Sequence, residues 1–145
     1  MVCFNFSNSK NKAAESHTEK YSLPIDVIRF LINELLDCDN DSWCHFDDDS
    51  NSIWAEVANN KAGLLINLPF PFKDKPDIIF EQKGIEVPVS WEIVSFKKKG
   101  FFGAGYITYR VPKDDLESIV SFIDVFFKKN SDMGENYKIS GSIQN

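Results

Sequence analysis

Two segments with alternating apolar side chains in the stretch Ile85–Val111 constrain the fold most strongly. Alternation with a period of two is typical of β-strands and predicts strands over Val89–Phe96 and Tyr106–Val111. The lysine- and glycine-rich turn between them is too short for the crossover that parallel strands need, so we expect an antiparallel hairpin in the middle of the sheet. In the first strand the apolar side chains change faces at Val94, which predicts a β-bulge or a strand buried on both faces.

Two amphipathic helices flank the strand-forming part of the chain. Apolar residues recur at spacings of three and four over Ile25–Leu36, directly after Pro24, which suits a first helical turn. The same spacing recurs over Leu116–Phe127, in a helix predicted to open at Asp114. Each helix has one apolar face, and one face of the sheet is the obvious surface for both to cover.

Further strands are predicted between the first helix and the hairpin, at Ile53–Ala58, Ala62–Leu68 and Asp77–Gln82. Short turns join successive strands, which favours antiparallel pairing. The sequence therefore predicts an α+β fold in the order α-β-β-β-β-β-α. We expect a mostly antiparallel sheet of about five strands, flanked by an N-terminal and a C-terminal helix that pack on one of its faces.

Length and composition indicate one domain. The chain has 145 residues, of which 43% are hydrophobic, and this is enough for a single core. Residues 1–20 and 130–145 contain few large apolar side chains and cannot offset the entropy lost on ordering. We therefore expect disordered tails on either side of a single globular domain at 21–129.

The net charge and the cysteine content of the chain limit the class of binding partner and the cellular compartment that we expect. A net charge of −6 disfavours specific nucleic-acid binding, because phosphate neutralisation needs a clustered positive surface. The number of cysteines, 3, is odd and their spacing does not repeat, which favours a reducing compartment. No apolar run has the length of a signal-peptide core or of a membrane span, so the sequence predicts a cytoplasmic protein without a transmembrane segment.

The segment Asp37–Asn51 contains six aspartates and no lysine or arginine. Such a run repels itself, so we expect a solvated loop whose surface attracts a basic partner. Part of it has the spacing of an EF-hand calcium loop, but Ser42 occupies the position that needs glycine, and we predict no metal site. Trp43 belongs to no periodic pattern of apolar residues in this segment, so it is the tryptophan best suited to anchor an interface. The predicted partner-binding residues are Asp37, Asp39, Asp41, Trp43, Asp47, Asp48 and Asp49.

The hairpin turn carries a second candidate surface. Its lysines stand beside two phenylalanines, and this combination can contact an anionic membrane, a nucleic-acid backbone or an acidic protein. The turn is not a phosphate loop, because it lacks the Gly-Lys-Ser/Thr ending and joins two strands. The alternative is a structural hairpin tip whose phenylalanines fold back on the protein. The secondary candidate residues are Lys97, Lys98, Lys99, Phe101 and Phe102.

Catalytic chemistry has little support in the sequence. Cys38, Cys44 and His45 are close together, but their spacing is neither that of a zinc site nor that of a thiol protease. We find no nucleophile motif, metal cluster or cofactor fingerprint, and we predict no catalytic residue, no metal and no cofactor. Carboxylate pairs meet in space without regular spacing, so an enzyme with such a site stays an alternative.

These features favour a non-enzymatic protein-binding module. The leading hypothesis is a small acidic inhibitor of the immunity-protein type, which neutralises a basic partner such as a bacterial toxin or another effector. The alternative is a secretion-type chaperone, which holds a client protein on the apolar surface of a dimer. A monomer would favour the inhibitor and an obligate dimer the chaperone, and the sequence leaves both states open.

Overall fold

The computed structural model describes residues 23–50, 53–100 and 103–144. Within these ranges the chain forms three α-helices and six β-strands in the order α1-β1-β2-β3-α2-β4-β5-α3-β6. A 3-10 turn, Gly134–Asn136, leads into the last strand. The helices are α1 (Pro24–Leu36), α2 (Pro76–Lys83) and α3 (Leu116–Asn130). The strands are β1 (Trp43–Asp48), β2 (Trp54–Asn60), β3 (Gly63–Pro69), β4 (Glu92–Lys97), β5 (Tyr106–Val111) and β6 (Ile139–Gln144).

All six strands belong to one sheet, in the order β4-β5-β3-β2-β1-β6, and every neighbouring pair is antiparallel. The pairs β1–β2, β2–β3 and β4–β5 are joined by short turns, which have no room for the crossover that a parallel pair needs. The predicted α+β fold, with an antiparallel sheet and its helices on one face, is confirmed.

The alternation of side chains gives the sheet two different faces. On the face that we call the helix face, side chains are buried beneath α1 and α3, which also pack against each other. On the other face, which we call the open face, no helix of the described residues is packed, and side chains are half-buried or exposed. The apolar side chains on the helix face are Cys44, Phe46, Ala55, Val57, Leu64, Ile66, Leu68, Ile107, Tyr109, Val111, Ile139 and Ile143.

The hairpin of β4 and β5 lies at one edge of the sheet, and the prediction that it forms the middle is wrong. Strand β4 is the edge strand, and most of its side chains are exposed, while β2 and β3 are central. A hydrophobic pattern sets which face of a strand is buried, but not which strands pair with it. The register shifts between Ile93 and Ser95, and the strand is mostly exposed, so of the two predicted alternatives the irregularity in register is the one found.

Strand β1 arises from the acidic segment that the sequence predicts to be a loop. Cys44, Phe46 and Asp48 point to the helix face and are fully buried, whereas the residues between them point to the open face. β1 pairs with β2 on one side and β6 on the other, so its backbone groups are satisfied by two ladders. Pairing and burial of these side chains offset the repulsion among the aspartates.

Residues Pro76–Lys83 form helix α2 in place of the predicted strand at Asp77–Gln82. The helix has a proline in its first turn and ends at Gly84, whose φ of 71° lies in the left-handed region that favours glycine. Ile79 and Phe80 are buried. A run of three apolar residues is too short to distinguish a strand from a helix by periodicity, and this is why the prediction is wrong.

The C-terminal segment predicted to be a disordered tail carries strand β6, and this prediction is corrected. Ile139 and Ile143 are fully buried, and the strand pairs with β1 along its whole length. Its remaining residues are serine, glycine and glutamine, so the segment looks too polar to order itself. Gly141 has a packing role, because a Cβ atom there would overlap the side chain of Leu31 in α1.

Candidate partner-binding surface

A row of polar side chains crosses the open face from β1 to β5. Strand register places His45 opposite Glu56, and Asn67 and Thr108 continue the row on β3 and β5. His45 Nδ1 lies 3.1 Å from Glu56 Oε2, and Asn67 Nδ2 donates to Glu56 Oε1 at 3.4 Å. Thr108 Oγ1 donates to Asn67 Oδ1 at 3.0 Å. Each side chain of the row is therefore held in one orientation by its neighbour.

His45 lies at the centre of an aromatic and acidic cluster. Its Nε2 atom lies 2.8 Å from Asp47 Oδ2, two positions along the same strand. The ring of Trp54 stacks on the imidazole, with 6.2 Å between centroids and an interplanar angle of 19°. Trp43 meets the imidazole edge-on, with 6.5 Å between centroids and an angle of 87°. We call this cluster the Trp–His patch, and its residues are Trp43, His45, Asp47, Trp54 and Glu56.

Hydrogen bonding within the patch sets its charges. The contact with Glu56 raises the pKa of His45, Asp47 adds to this rise, and partial burial opposes it. The contact with His45 lowers the pKa of Glu56, as does the hydrogen bond from Asn67, again against partial burial. Glu56 is therefore ionised at neutral pH. Its side chain is 31% exposed, so this charge can be reached by a partner.

A hollow opens beside the patch, where a small side chain interrupts a row of large ones. Ala58 lies between Trp43 and Leu65 in the strand register. Its methyl group leaves a depression of about 270 Å³ on the open face. The floor of this hollow is apolar, one wall is an indole ring, and the rest of the rim is polar. Its lining residues are Trp43, Glu56, Ala58, Leu65, Asn67 and Thr108.

Charge is distributed unevenly over the open face. The sequence between Arg29 and Lys61, which includes β1 and β2, has no lysine or arginine, and β6 has no charged side chain. The open face of these three strands therefore carries two carboxylates, those of Asp47 and Glu56, and no permanent positive charge. Strand β5, on the opposite half, carries the basic side chain of Arg110. The half formed by β6, β1 and β2 is the acidic half.

The predicted partner-binding aspartates are divided between the two ends of β1. Asp37, Asp39 and Asp41 precede the strand and are exposed, whereas Asp47 and Asp49 stand at its other end. A strand of this length separates the two groups by about 16 Å. The aspartates therefore do not form one loop surface, and of these residues only Asp47 belongs to the Trp–His patch.

Asp48 has a structural environment, and its predicted role in partner binding is corrected. Its side chain is fully buried on the helix face. Asp48 Oδ2 accepts a hydrogen bond from Ser50 Oγ at 2.9 Å, and Oδ1 accepts one from the backbone N–H of Ile53 at 3.4 Å. The carboxylate therefore closes the connection from β1 to β2, and a partner protein has no access to it.

The lysines of the hairpin turn are exposed, and Lys97 ends β4 opposite Tyr106. Lys98 and Lys99 follow in the loop. The other two predicted residues of this surface, Phe101 and Phe102, lie outside the described residues. The structure brings these lysines to the far edge of the sheet from the Trp–His patch, and their role in binding stays a prediction.

A larger groove of about 1000 Å³ lies between α2, the loop that follows it, and α3. Phenylalanine, isoleucine and valine side chains form its floor, and three carboxylates belong to its lining. Two exposed apolar side chains, Ile78 at 42% and Val89 at 104%, occur in the same part of the chain. The groove is lined by Asp77, Phe80, Glu81, Gly84, Ile85, Glu86, Val87, Pro88, Val89, Ser118, Ser121, Phe122 and Val125.

The arrangement around His45 is a poor one for nucleophilic catalysis. Ser142 lies opposite His45 on β6, but both ring nitrogens are already in contact with carboxylates, those of Asp47 and Glu56. A serine nucleophile needs a free ring nitrogen to take its proton. Cys44 points to the opposite face from His45, and burial raises the pKa of its thiol far above the usual range. The absence of enzymatic activity stays a prediction.

The sequence predicts two residues of the Trp–His patch, Trp43 and Asp47, as partner-binding residues. It does not predict the other three. The sequence marks His45 only as a candidate metal ligand or catalytic base. Trp54 and Glu56 belong to a strand that the sequence predicts, and both fall on one side of its alternation. That alternation is the available signal, but it does not tell which residues of β1 lie opposite them.

Among the described residues, no group of three or more histidine, cysteine, aspartate and glutamate side chains is arranged to hold a metal ion. None of the helices in that part of the chain is long and apolar enough to cross a membrane. Comparison of the chain with protein-family models, with curated protein sequences and with solved structures gives no significant match.

Proposed function

We propose that this protein is a non-enzymatic protein-binding module, a small acidic inhibitor of the immunity-protein type that binds a basic partner. The binding surface is the acidic half of the open face, with the Trp–His patch at its centre. One observation carries the proposal: Trp43, 38% exposed, and Trp54 flank the carboxyl groups of Asp47 and Glu56 on strands that have no lysine or arginine. Partly exposed tryptophans anchor protein interfaces, and complementary charge speeds association and selects the partner.

The patch is held rigid before any partner arrives. His45 contacts two carboxylates, stacks on one indole and meets a second one edge-on, so ordering these side chains costs little on binding. The strands beneath them are paired on both sides. Such preorganisation suits a stoichiometric inhibitor, whose affinity depends on a surface that does not have to rearrange.

The test is affinity capture of partners from the source cells with the wild-type protein and with two variants of the patch, Trp43→Ala and Glu56→Gln. We expect a basic protein in a one-to-one complex, lost from both variants and weakened as salt rises. Glu86→Gln removes the same charge from the groove and is the matched control, which keeps the partner. A captured protein that is neutral or acidic, or that all variants retain equally, would contradict the proposal.

A secretion-type chaperone is the second candidate, because the groove between α2 and α3 is large and mostly apolar. A chaperone of this class would hold its client on a dimer, whereas the inhibitor functions as a monomer. Light scattering after size-exclusion chromatography distinguishes them: a monomer at micromolar concentration favours the inhibitor. A cytoplasmic location is part of the proposal and is checked by fractionation of the source cells.

A further inference from the structure

The hollow beside the Trp–His patch has walls of different chemistry. Its floor is the methyl group of Ala58 and the side chain of Leu65, and one wall is the indole of Trp43. The carboxylate of Glu56 stands on the rim, with the amide of Asn67 beside it. A ligand for this site needs an apolar stem, a flat surface to stack on the indole, and a positive head that donates hydrogen bonds.

The carboxylate of Glu56 is oriented to bind such a head group. Its two oxygens each make one contact, with His45 at 3.1 Å and with Asn67 at 3.4 Å, so the carboxylate is fixed in orientation. A carboxylate offers about four acceptor positions, and two contacts leave others for a ligand. The planar guanidinium matches a fixed carboxylate and stacks on aromatic rings, whereas an ammonium group is a strongly hydrated point charge.

No lysine or arginine of the described residues lines the hollow. The nearest basic side chain along the row is Arg110, opposite Leu65 on β5. Arg110 Nη1 lies 3.4 Å from Glu92 Oε1 on β4, on the side of β5 that faces away from β3. Arg110 is therefore paired toward the edge of the sheet, and the indole and carboxylate of the hollow stay available to a cation from outside.

We propose that the hollow is a subsite for an arginine side chain of the partner, with the guanidinium stacked on Trp43 and paired with Glu56. This inference rests on the proposed function and adds the chemistry of the partner residue. The aliphatic stem of the arginine lies over Ala58 and Leu65, where it covers apolar surface that is otherwise wet. The partner is thus a basic protein that presents an exposed arginine, and lysine at the same position binds more weakly.

The test measures the affinity of the full chain for two blocked peptides, tetra-arginine and tetra-lysine, by NMR titration at low salt. Both have the same formal charge, so their difference reports on the guanidinium. We expect the arginine peptide to bind about fivefold more tightly, as a stacked cation on an aromatic ring predicts. Ala58→Val fills the hollow without changing charge and removes the preference, and Glu56→Gln also removes it.

Matched controls separate the subsite from general charge and from misfolding. Ala62→Val makes the same change in the exposed turn between β2 and β3, and Glu86→Gln makes the same charge change in the groove; both keep the preference. Thermal unfolding shows that each variant is folded. Chemical-shift changes of the Trp43 indole N–H locate the peptide.

Equal affinity for the two peptides, or an arginine preference that survives in Ala58→Val, would overturn the subsite. If both peptides bind equally and lose affinity together in Glu56→Gln, the acidic surface of the proposed function stands and only the arginine subsite falls. If the arginine preference is found but no basic partner is captured, the subsite stands and the proposed inhibitor function falls.

Discussion

His45 Nε2 lies 2.8 Å from Asp47 Oδ2, on the same face of β1, while Nδ1 of the same ring faces Glu56 across the strand pair at 3.1 Å. One imidazole therefore links two carboxylates on an otherwise solvent-facing surface. Without it, Asp47 and Glu56 would repel each other and the two tryptophans would lose the ring that they both contact. The protonation state of His45 consequently affects both the stability of the protein and the charge that it offers to a partner.

Stability is predicted to depend on pH through this contact. The folded-state pKa of His45 is raised, so its contribution is complete below the unfolded value of about 6.5 and is lost as pH rises through the folded value. The folded-state pKa of Glu56 is lowered, so its contribution is complete above about 4.3 and is lost as pH falls through the folded value. Both contributions are complete between those two unfolded values.

The measurement is the melting temperature of wild type and of His45→Gln across pH. The difference between the two proteins is expected to be largest at about pH 5 to 6 and to shrink toward alkaline pH. Subtracting the variant cancels the effect of the overall net charge. A difference that stays constant over the whole range would show that the contacts of His45 with the carboxylates do not stabilise the fold.

Asp48 is predicted to be a stability residue. Asp48→Ala removes the acceptor for Ser50 Oγ and for the Ile53 N–H, and leaves the buried Ile53 N–H without this partner. We expect a loss of about 1–3 kcal/mol in the free energy of unfolding. Asp49→Ala, at an exposed position next in the chain, is the control and is expected to stay within about 0.5 kcal/mol. Urea denaturation measures both, and equal effects would contradict the assignment.

The C-terminal strand gives a prediction that distinguishes an ordered β6 from a disordered tail. Gly141→Val places a side chain against Leu31 and Phe46, where there is no room for it, and is expected to cost about 1–3 kcal/mol. Ser142→Val, one residue further on, points to the open face and is expected to change stability by about 0.5 kcal/mol or less. Urea denaturation of the pair tests the packing, because a disordered tail would tolerate both substitutions equally.

Local sequence patterns predict the elements that have a clear period. Helices α1 and α3 have continuous apolar stripes, and the bulge in β4 is marked by the change of face at Val94. The sequence does not predict β1 and β6 because their composition conceals a regular alternation: His45 and Asp47 flank Phe46, and two serines flank Gly141. In both cases a neighbouring strand and helix α1 supply the contacts that the segment lacks on its own.

The candidate site was only partly predictable for a related reason. Trp43 can be identified from the sequence as a tryptophan outside any periodic apolar pattern. Its neighbours in the hollow, however, come from β2, β3 and β5. Their meeting depends on strand register, which is set by pairing across the whole sheet and not by spacing within one strand. The hollow itself exists because Ala58, an unremarkable residue in the sequence, falls beside Trp43 in that register.

Binding of the tetra-arginine peptide is predicted to strengthen as pH rises through the raised pKa of His45, opposite in sign to the stability effect. A protonated imidazole next to Glu56 repels the guanidinium. When His45 loses its proton, Asp47 and Glu56 no longer have a positive charge beside them. For partly exposed charges, the binding free energy of the peptide is expected to change by about 0.5–1 kcal/mol, which is about two- to fivefold in affinity. NMR titration at about pH 6 and pH 8.5 measures it, and in His45→Gln the affinity is expected to be the same at both. A peptide that binds more weakly at the higher pH would show that the guanidinium does not sit beside Glu56.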